Sequence, residues 1–267
     1  MKLTFSPCPN DTFVFHAWTH GLIDGAPEVE VTFADVDVTN TAAQHGRFDV
    51  VKVSYGALPW LLDRYVLLPS GGAVGRGCGP LVLTRGVLPD LDGATVAVPS
   101  KRSTAYLLMR LWAAGQRPAG IDVVPFASIM PAVRAGTYDA GLVIHEARFT
   151  YPDYGLTALA DLGKWWQADT GLPIPLGAIL ARRGLEAATI TSTIQASVEY
   201  AWAHPAASAA YVAEHADEMS PTVQQQHIDL YVNAFTRDLG EEGYAAAEEL
   251  LDRAHRAGLT PTRPRLR

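Results

Sequence analysis

A histidine, a lysine and two small polar turns hold most of the chemistry this chain can offer. His145, in the stretch VIHEARFTYPDYG (143–155), stands where the apolar run Ala140 to Ile144 gives way to polar and aromatic residues. In an open α/β sheet the carboxyl end of a strand faces the edge where ligands bind. Imidazole ordinarily titrates at about 6.5 and can take up a proton at working pH, so a general base is one reading of such a residue. A histidine merely bonded at a strand end is the other. Glu146, Arg148 and Tyr151 follow closely enough to orient the ring, bind an acid group or simply make the turn.

Lys52 lies inside the apolar run VVKVSYG (50–56), on one face with Ser54. A lysine there must be paired or must open onto a polar cavity. It is either a partner for a ligand carboxylate or one half of an internal ion pair with Asp11, Asp35 or Asp37. SPCPNDT (6–12) and VPSKRSTAYLL (98–108) repeat one layout, a strand, a short loop and a capped helix start. Ser6, Asn10 and Thr12 in the first, and Ser100, Ser103 and Thr104 in the second, could bond an anion at a helix N-terminus. Ordinary capping is the bland alternative for both. Cys8, with no visible partner in the sequence, reads more readily as a small packed residue than as a nucleophile.

Other chemistries find little support. HAWTH puts His16 and His20 four apart, but without the glutamate of HExxH or an evident third ligand. GGAVGRGCG is neither a dinucleotide fingerprint nor a phosphate loop. There is no GxSxG and no obvious carboxylate pair for glycoside hydrolysis. His204, His215, His227 and His255 read as surface or packing residues, and Trp165–Trp166 as core. No cofactor and no metal is called for.

The elements that must position these residues follow from the rest of the chain. Short apolar runs alternate with helical periodicity through the first two thirds, an α/β pattern. Strands are expected over 2–6, 29–34, 49–54, 65–70, 80–84, 94–99, 121–126, 140–144, 156–162 and 176–182. Helix starts are expected at Asn10–Asp11, Thr39–Asn40, Ser103–Thr104 and Ser128. From about Glu186 the sequence turns alanine-rich and helical. Two glycine- and proline-marked stretches, 69–86 and 170–180, read as crossings between domains. They predict a discontinuous domain, 1–85 with 174–267, and an inserted α/β domain, 86–173, around a ligand cleft with a hinge.

The 267 residues carry 21 Lys and Arg against 28 Asp and Glu, with no basic cluster, which argues against nucleic acid as a partner. Two cysteines suit a reducing compartment. No segment reads as membrane-spanning, and the N-terminus does not build a signal peptide, so a cytoplasmic location is expected. The expected partner is a small-molecule carboxylate; association into a homodimer is left open.

SPCPNDTFVF, KVSYGAL, SGGAVGRGCGPLV, IHEARFTYPDYGL and WW…TGLPIPLGAI occur in an order that resembles the 1,4-dihydroxy-6-naphthoate synthases of the futalosine route to menaquinone. The likeness runs from Phe5 to about Arg182, and HPAASAAYV and YVNAFTRDLGEEG extend it into the C-terminal helices. It implies a two-domain α/β fold like that of type II periplasmic binding proteins, with an interdomain cleft and C-terminal helices. It also implies a lyase that cleaves cyclic dehypoxanthinyl futalosine to 1,4-dihydroxy-6-naphthoate and dihydroxyacetone. The general base implied by IHE falls on His145, and the implied ligand contacts on Asn10, Ser54, Ser103 and Thr104. Ala147 departs from the small polar residue expected after HE. The rivals are a solute-binding protein of the same architecture, disfavoured by the lack of an export signal, and the related chorismate dehydratase.

Overall fold

The computed structural model describes residues 1–145, 147–216 and 220–267, and among them ten strands make two five-stranded sheets. The chain runs β1 (Lys2–Phe5), α1 (Pro9–Thr19), β2 (Glu30–Phe33), α2 (Val36–Gln44), β3 (Val50–Ser54), a 3₁₀ turn (Tyr55–Trp60) and β4 (Tyr65–Gly75). It continues with β5 (Leu81–Thr84), β6 (Thr95–Val98), α3 (Thr104–Trp112), β7 (Gly120–Val123), α4 (Phe126–Ala135), β8 (Ala140–Val143), α5 (Ala147–Thr150), β9 (Thr157–Asp161) and α6 (Leu162–Thr170). After β10 (Ile174–Arg182) come α7 (Ala187–Ala203), α8 (Ala209–His215), α9 (Pro221–Tyr231), α10 (Ala234–Arg237) and α11 (Gly240–Arg256).

The first sheet has the order β2-β1-β3-β10-β4, the second β7-β6-β8-β5-β9. Each has three parallel strands linked through helices, then one strand antiparallel to both its neighbours: β10 in the first, β5 in the second. Both sheets therefore reverse strand order beside their first parallel strand, at β1/β3 and at β6/β8. Loops at the carboxyl ends of these strands diverge there and leave a crevice. Leu3, Phe5, Val50, Phe15 and Ile194 are fully buried on one side of the first sheet, and Val96, Val98, Leu108 and Leu142 lie in the core cluster that continues into the second.

All ten expected strands are present. The expected boundary at 85/86 would put β5 in the discontinuous half, but β5 pairs with β8 and β9, so the change of sheet falls between Gly75 and Leu81. The glycines from 71 to 75 belong to β4 rather than to a loop. They admit β10: a Cβ on Gly72 would come within 2.7 Å of the Gly177 carbonyl oxygen.

The crossings pack directly on one another. A Cβ on Gly163, in the first turn of α6, would lie 1.8 Å from the backbone carbonyl oxygen of Cys78. Backbone cannot rotate aside as a side chain can, so Gly163→Ala should cost about 2 kcal/mol, read as a lowered denaturation midpoint in urea.

Candidate active site

One cleft, with about 700 Å³ of empty space counted out to its mouth, is lined from both sheets and from the C-terminal helices. β1 and α1 supply Ser6, Asn10 and Asp11; β3 supplies Lys52 and Ser54; α3 supplies Ser103, Thr104 and Ala105; the end of β8 supplies Ile144 and His145. α9 adds His227 and Tyr231. Of the residues singled out in the sequence, Ser6, Asn10, Lys52, Ser54, Ser103, Thr104 and His145 thus come together on one wall system, across separations of up to 139 residues.

His145 is held in an unusual backbone state. Its φ is +52°, the left-handed region, and it is the one non-glycine with positive φ among the described residues. A β-carbon is unfavourable there, and such residues persist where the surrounding structure over-determines them, often at functional sites. The Cys8 thiol lies 3.5 Å from His145 Nδ1, and the Phe126 ring meets the imidazole edge-on at 5.9 Å between centroids. The first-helix loop therefore braces the ring from the opposite lobe. The expectation for Glu146 lies outside the described residues.

Lys52 forms an ion pair with Asp11, the first of the three internal partners that its burial allowed. Gly177 on β10 makes room for the lysine stem, since a Cβ there would lie 2.8 Å from Lys52 Cε. Burial pushes the Asp11 carboxyl above the ordinary carboxylate range, against the opposing pull of the Lys52 ammonium, His145 and a hydrogen bond from the Ser6 backbone. The Asn10 amide donates to the same carboxylate at 2.7 Å.

The two helix starts are unequal. α1 already holds a buried carboxylate, Asp11, in its first turn. α3 holds none, and the first N–H groups of a helix have no acceptor within it. Ser103 Oγ accepts from Tyr106 N at 3.1 Å and donates to Ser100 O, while Thr104 Oγ1 accepts from Gly56 N and donates to Leu176 O, each at 3.0 Å. Those hydroxyls close the α3 cap and tie the two lobes together. α3 lines the cleft with Ser103, Thr104 and Ala105, and its first turn carries no acidic residue.

Arg148 and Tyr151 do not line the cleft. The short α5 turns Arg148 toward the crossing, where it pairs with Asp161 at 2.6 Å and donates to the Gly79 and Gly77 carbonyls at 3.1 and 3.3 Å. Tyr151 packs on the apolar cluster around Ile129 and Leu156. Arg148→Lys, which loses the planar fork, should lower stability by about 1 kcal/mol and leave ligand affinity within a factor of two, checked by urea titration and calorimetry on the same protein.

Sequence reasoning missed Asp11 as a cleft residue in its own right, and it read His227 as surface or packing. His227 is 1% exposed and lines the cleft. The His16 and His20 rings lie 4.3 Å apart, tilted by 31°, and no group of three or more metal-ligating side chains occurs among the described residues. Cys78 is buried, its thiol pushed up to about 11 by desolvation. No described helix is long and apolar enough to cross a membrane.

Residues 1–256 match the family model described as menaquinone biosynthesis. This chain belongs to that family. Two members named 1,4-dihydroxy-6-naphthoate synthase are similar to it throughout: one from Streptomyces coelicolor, 61% identical over 98% of this chain and 95% of its own, and one from Thermus thermophilus, 48% identical over 99% and 97%. A solved structure from Archaeoglobus fulgidus superposes with a TM-score of 0.90 at 32% identity, covering 97% of each chain. The alkanesulfonate-binding protein of Xanthomonas axonopodis pv. citri, solved bound to MOPS, superposes with a TM-score of 0.74 at 16% identity, covering 98% of this chain and 94% of its own. That likeness shows the fold: this member of the menaquinone-biosynthesis family is built as a two-lobed periplasmic-binding-protein-like α/β protein, and its named relatives are enzymes.

Proposed function

We propose that this chain is a carbon–carbon lyase that converts cyclic dehypoxanthinyl futalosine to 1,4-dihydroxy-6-naphthoate and dihydroxyacetone, with His145 as the general base. The observation that carries this reading is His145 itself, in a left-handed backbone conformation at the cleft wall, its Nδ1 against Cys8. A thiol at Nδ1 leaves Nε2 as the nitrogen available to a substrate proton. The full-length likeness to two named synthases supports the substrate class.

In this mechanism the base removes a proton from the sugar-derived part of the spirocycle. The carbon–carbon bond to the ring then breaks with its electron pair leaving on the three-carbon fragment, which is protonated and released as dihydroxyacetone, while the ring carbon becomes a carbonyl that tautomerises to the aromatic diol. Aromatisation supplies driving force, so the protein mainly needs orientation, a base and exclusion of water. Val36, Ala73, Pro80, Ile144 and Leu176 give the cleft apolar walls suited to a flat bicyclic ring. Lys52 is already neutralised by Asp11, so the start of α3 holds the substrate carboxylate. Lys52, Asn10, Ser54 and Ser6 are left to reach the sugar hydroxyls.

The test is mass spectrometry of the purified protein incubated with cyclic dehypoxanthinyl futalosine. Equal amounts of dihydroxynaphthoate and dihydroxyacetone are expected. Tight binding without product would favour a solute-binding protein, and turnover of chorismate instead would favour the dehydratase relative.

A further inference from the structure

His227 comes from α9, 82 positions beyond His145, yet both line the same cleft. Their ring centroids are 6.3 Å apart at an interplanar angle of 53°. His227 is 1% exposed, and its Nδ1 has no hydrogen-bond partner among the described residues. An unpaired polar atom buried beside a ligand cleft costs stability in the empty protein, a cost recovered when a ligand atom supplies the missing bond. The ring also has aromatic neighbours, Tyr231 edge-on at 4.7 Å and Phe149 at 6.5 Å, which fix its plane.

We infer that His227 is a second substrate-contacting histidine, which hydrogen-bonds an oxygen of the sugar-derived part of the substrate beside the group that His145 deprotonates. A hydrogen bond spans about 2.7–3.2 Å between heavy atoms, so the spacing of the two rings leaves room for one hydroxyl or carbonyl group within reach of both. The inference rests on the reaction proposed above.

The electrostatics suit this role and make the ring a weak base. Burial, with His145 and Lys52 close by, pushes the His227 imidazole down to about 3, so it stays neutral throughout the working range. A neutral ring can donate or accept a hydrogen bond without adding positive charge next to Lys52 and to a His145 that has just taken up a proton. Proton transfer belongs to His145, and oxygen recognition to His227.

The experiment compares kcat and KM for the wild type, His227→Phe and His227→Gln on cyclic dehypoxanthinyl futalosine, with thermal melts of all three. His227→Phe, which keeps the aromatic packing, should lower kcat/KM by about 10-fold or more, the worth of one lost hydrogen bond in a dry site. His227→Gln, which keeps a polar group, should recover most of that loss. If the Phe variant melts early, His227→Leu supplies the apolar comparison. An active wild type with an apolar variant inside a factor of two, or a Gln variant no better than the apolar one, overturns the inference alone. A wild type that makes no product overturns the proposed reaction and this role with it.

Discussion

The His145→Asn variant is expected to lose turnover by a factor of about 10²–10⁴, the usual worth of a positioned general base, while melting within a few degrees of the wild type. Asparagine is the informative replacement because of the backbone. His145 sits at φ +52°, and asparagine is among the few side chains that populate the left-handed region readily. Alanine would mix loss of the base with backbone strain. Asparagine also keeps a polar group beside Cys8 Sγ, which lies 3.5 Å from the present ring nitrogen. The measurement is single-turnover formation of dihydroxynaphthoate alongside a thermal melt. Loss of rate with unchanged KM and unchanged melting fits a group used only in the transition state. Full activity would remove His145 as the base and would leave the fold and the cleft untouched.

Much of this architecture was legible because strands announce themselves as short apolar runs, and every expected strand is present within a few residues. Helix starts were less so, and the reason is visible in α2. Thr39 and Asn40 look like caps, but the helix opens at Val36 and both residues are buried inside it. Asn40 is polar for a tertiary purpose: its carbonyl oxygen accepts from Ser54 N at 2.9 Å and its amide donates to the Arg102 carbonyl at 3.4 Å. A residue that bonds across the fold looks, in one dimension, like one that bonds its own helix. Ser128 misleads for a different reason: it is an exposed residue inside the first turn of α4, which begins at Phe126 after a proline that caps nothing through its side chain.

The site shows the same division. Loops at strand ends could be placed because sheet topology aims them, which is why Ser6, Asn10, Ser54 and His145 meet. Arg148, three residues from His145, was drawn in by proximity alone; one short helical turn swings it to the crossing. His227 was invisible for the opposite reason. Nothing local marks which face of a C-terminal helix reaches back to a cleft built from residues before position 180, and a buried histidine on an ordinary helix resembles a packing residue until its unpaired nitrogen is seen.

The Lys52–Asp11 pair supplies the second large effect. Lys52→Met preserves an unbranched stem of similar length beside Gly177 and removes only the ammonium. Asp11, 2% exposed, is then left buried without its cation. Removing one member of a buried pair costs about 3–5 kcal/mol, and the lower end applies here because Lys52 borders an open cleft that water can enter. The pH dependence has a definite sign. Burial already raises the Asp11 carboxyl, and loss of Lys52 removes the strongest opposing pull, so it rises further. A carboxyl raised in the folded state favours folding while it is protonated in both states, below its unfolded value of about 4, and that contribution is lost as pH climbs through the folded value. The deficit of Lys52→Met relative to wild type should therefore be larger at pH 8 than at pH 5 in urea titrations. Adding Asp11→Asn removes the stranded charge and keeps an oxygen for the Asn10 amide, so the double variant should recover most of the loss and its remaining deficit should be flat with pH. A single variant equally stable at both pH values, or one that Asp11→Asn does not rescue, would mean that water entering the cleft solvates Asp11 well enough to make Lys52 dispensable. Lys52 would then belong to the ligand rather than to the fold.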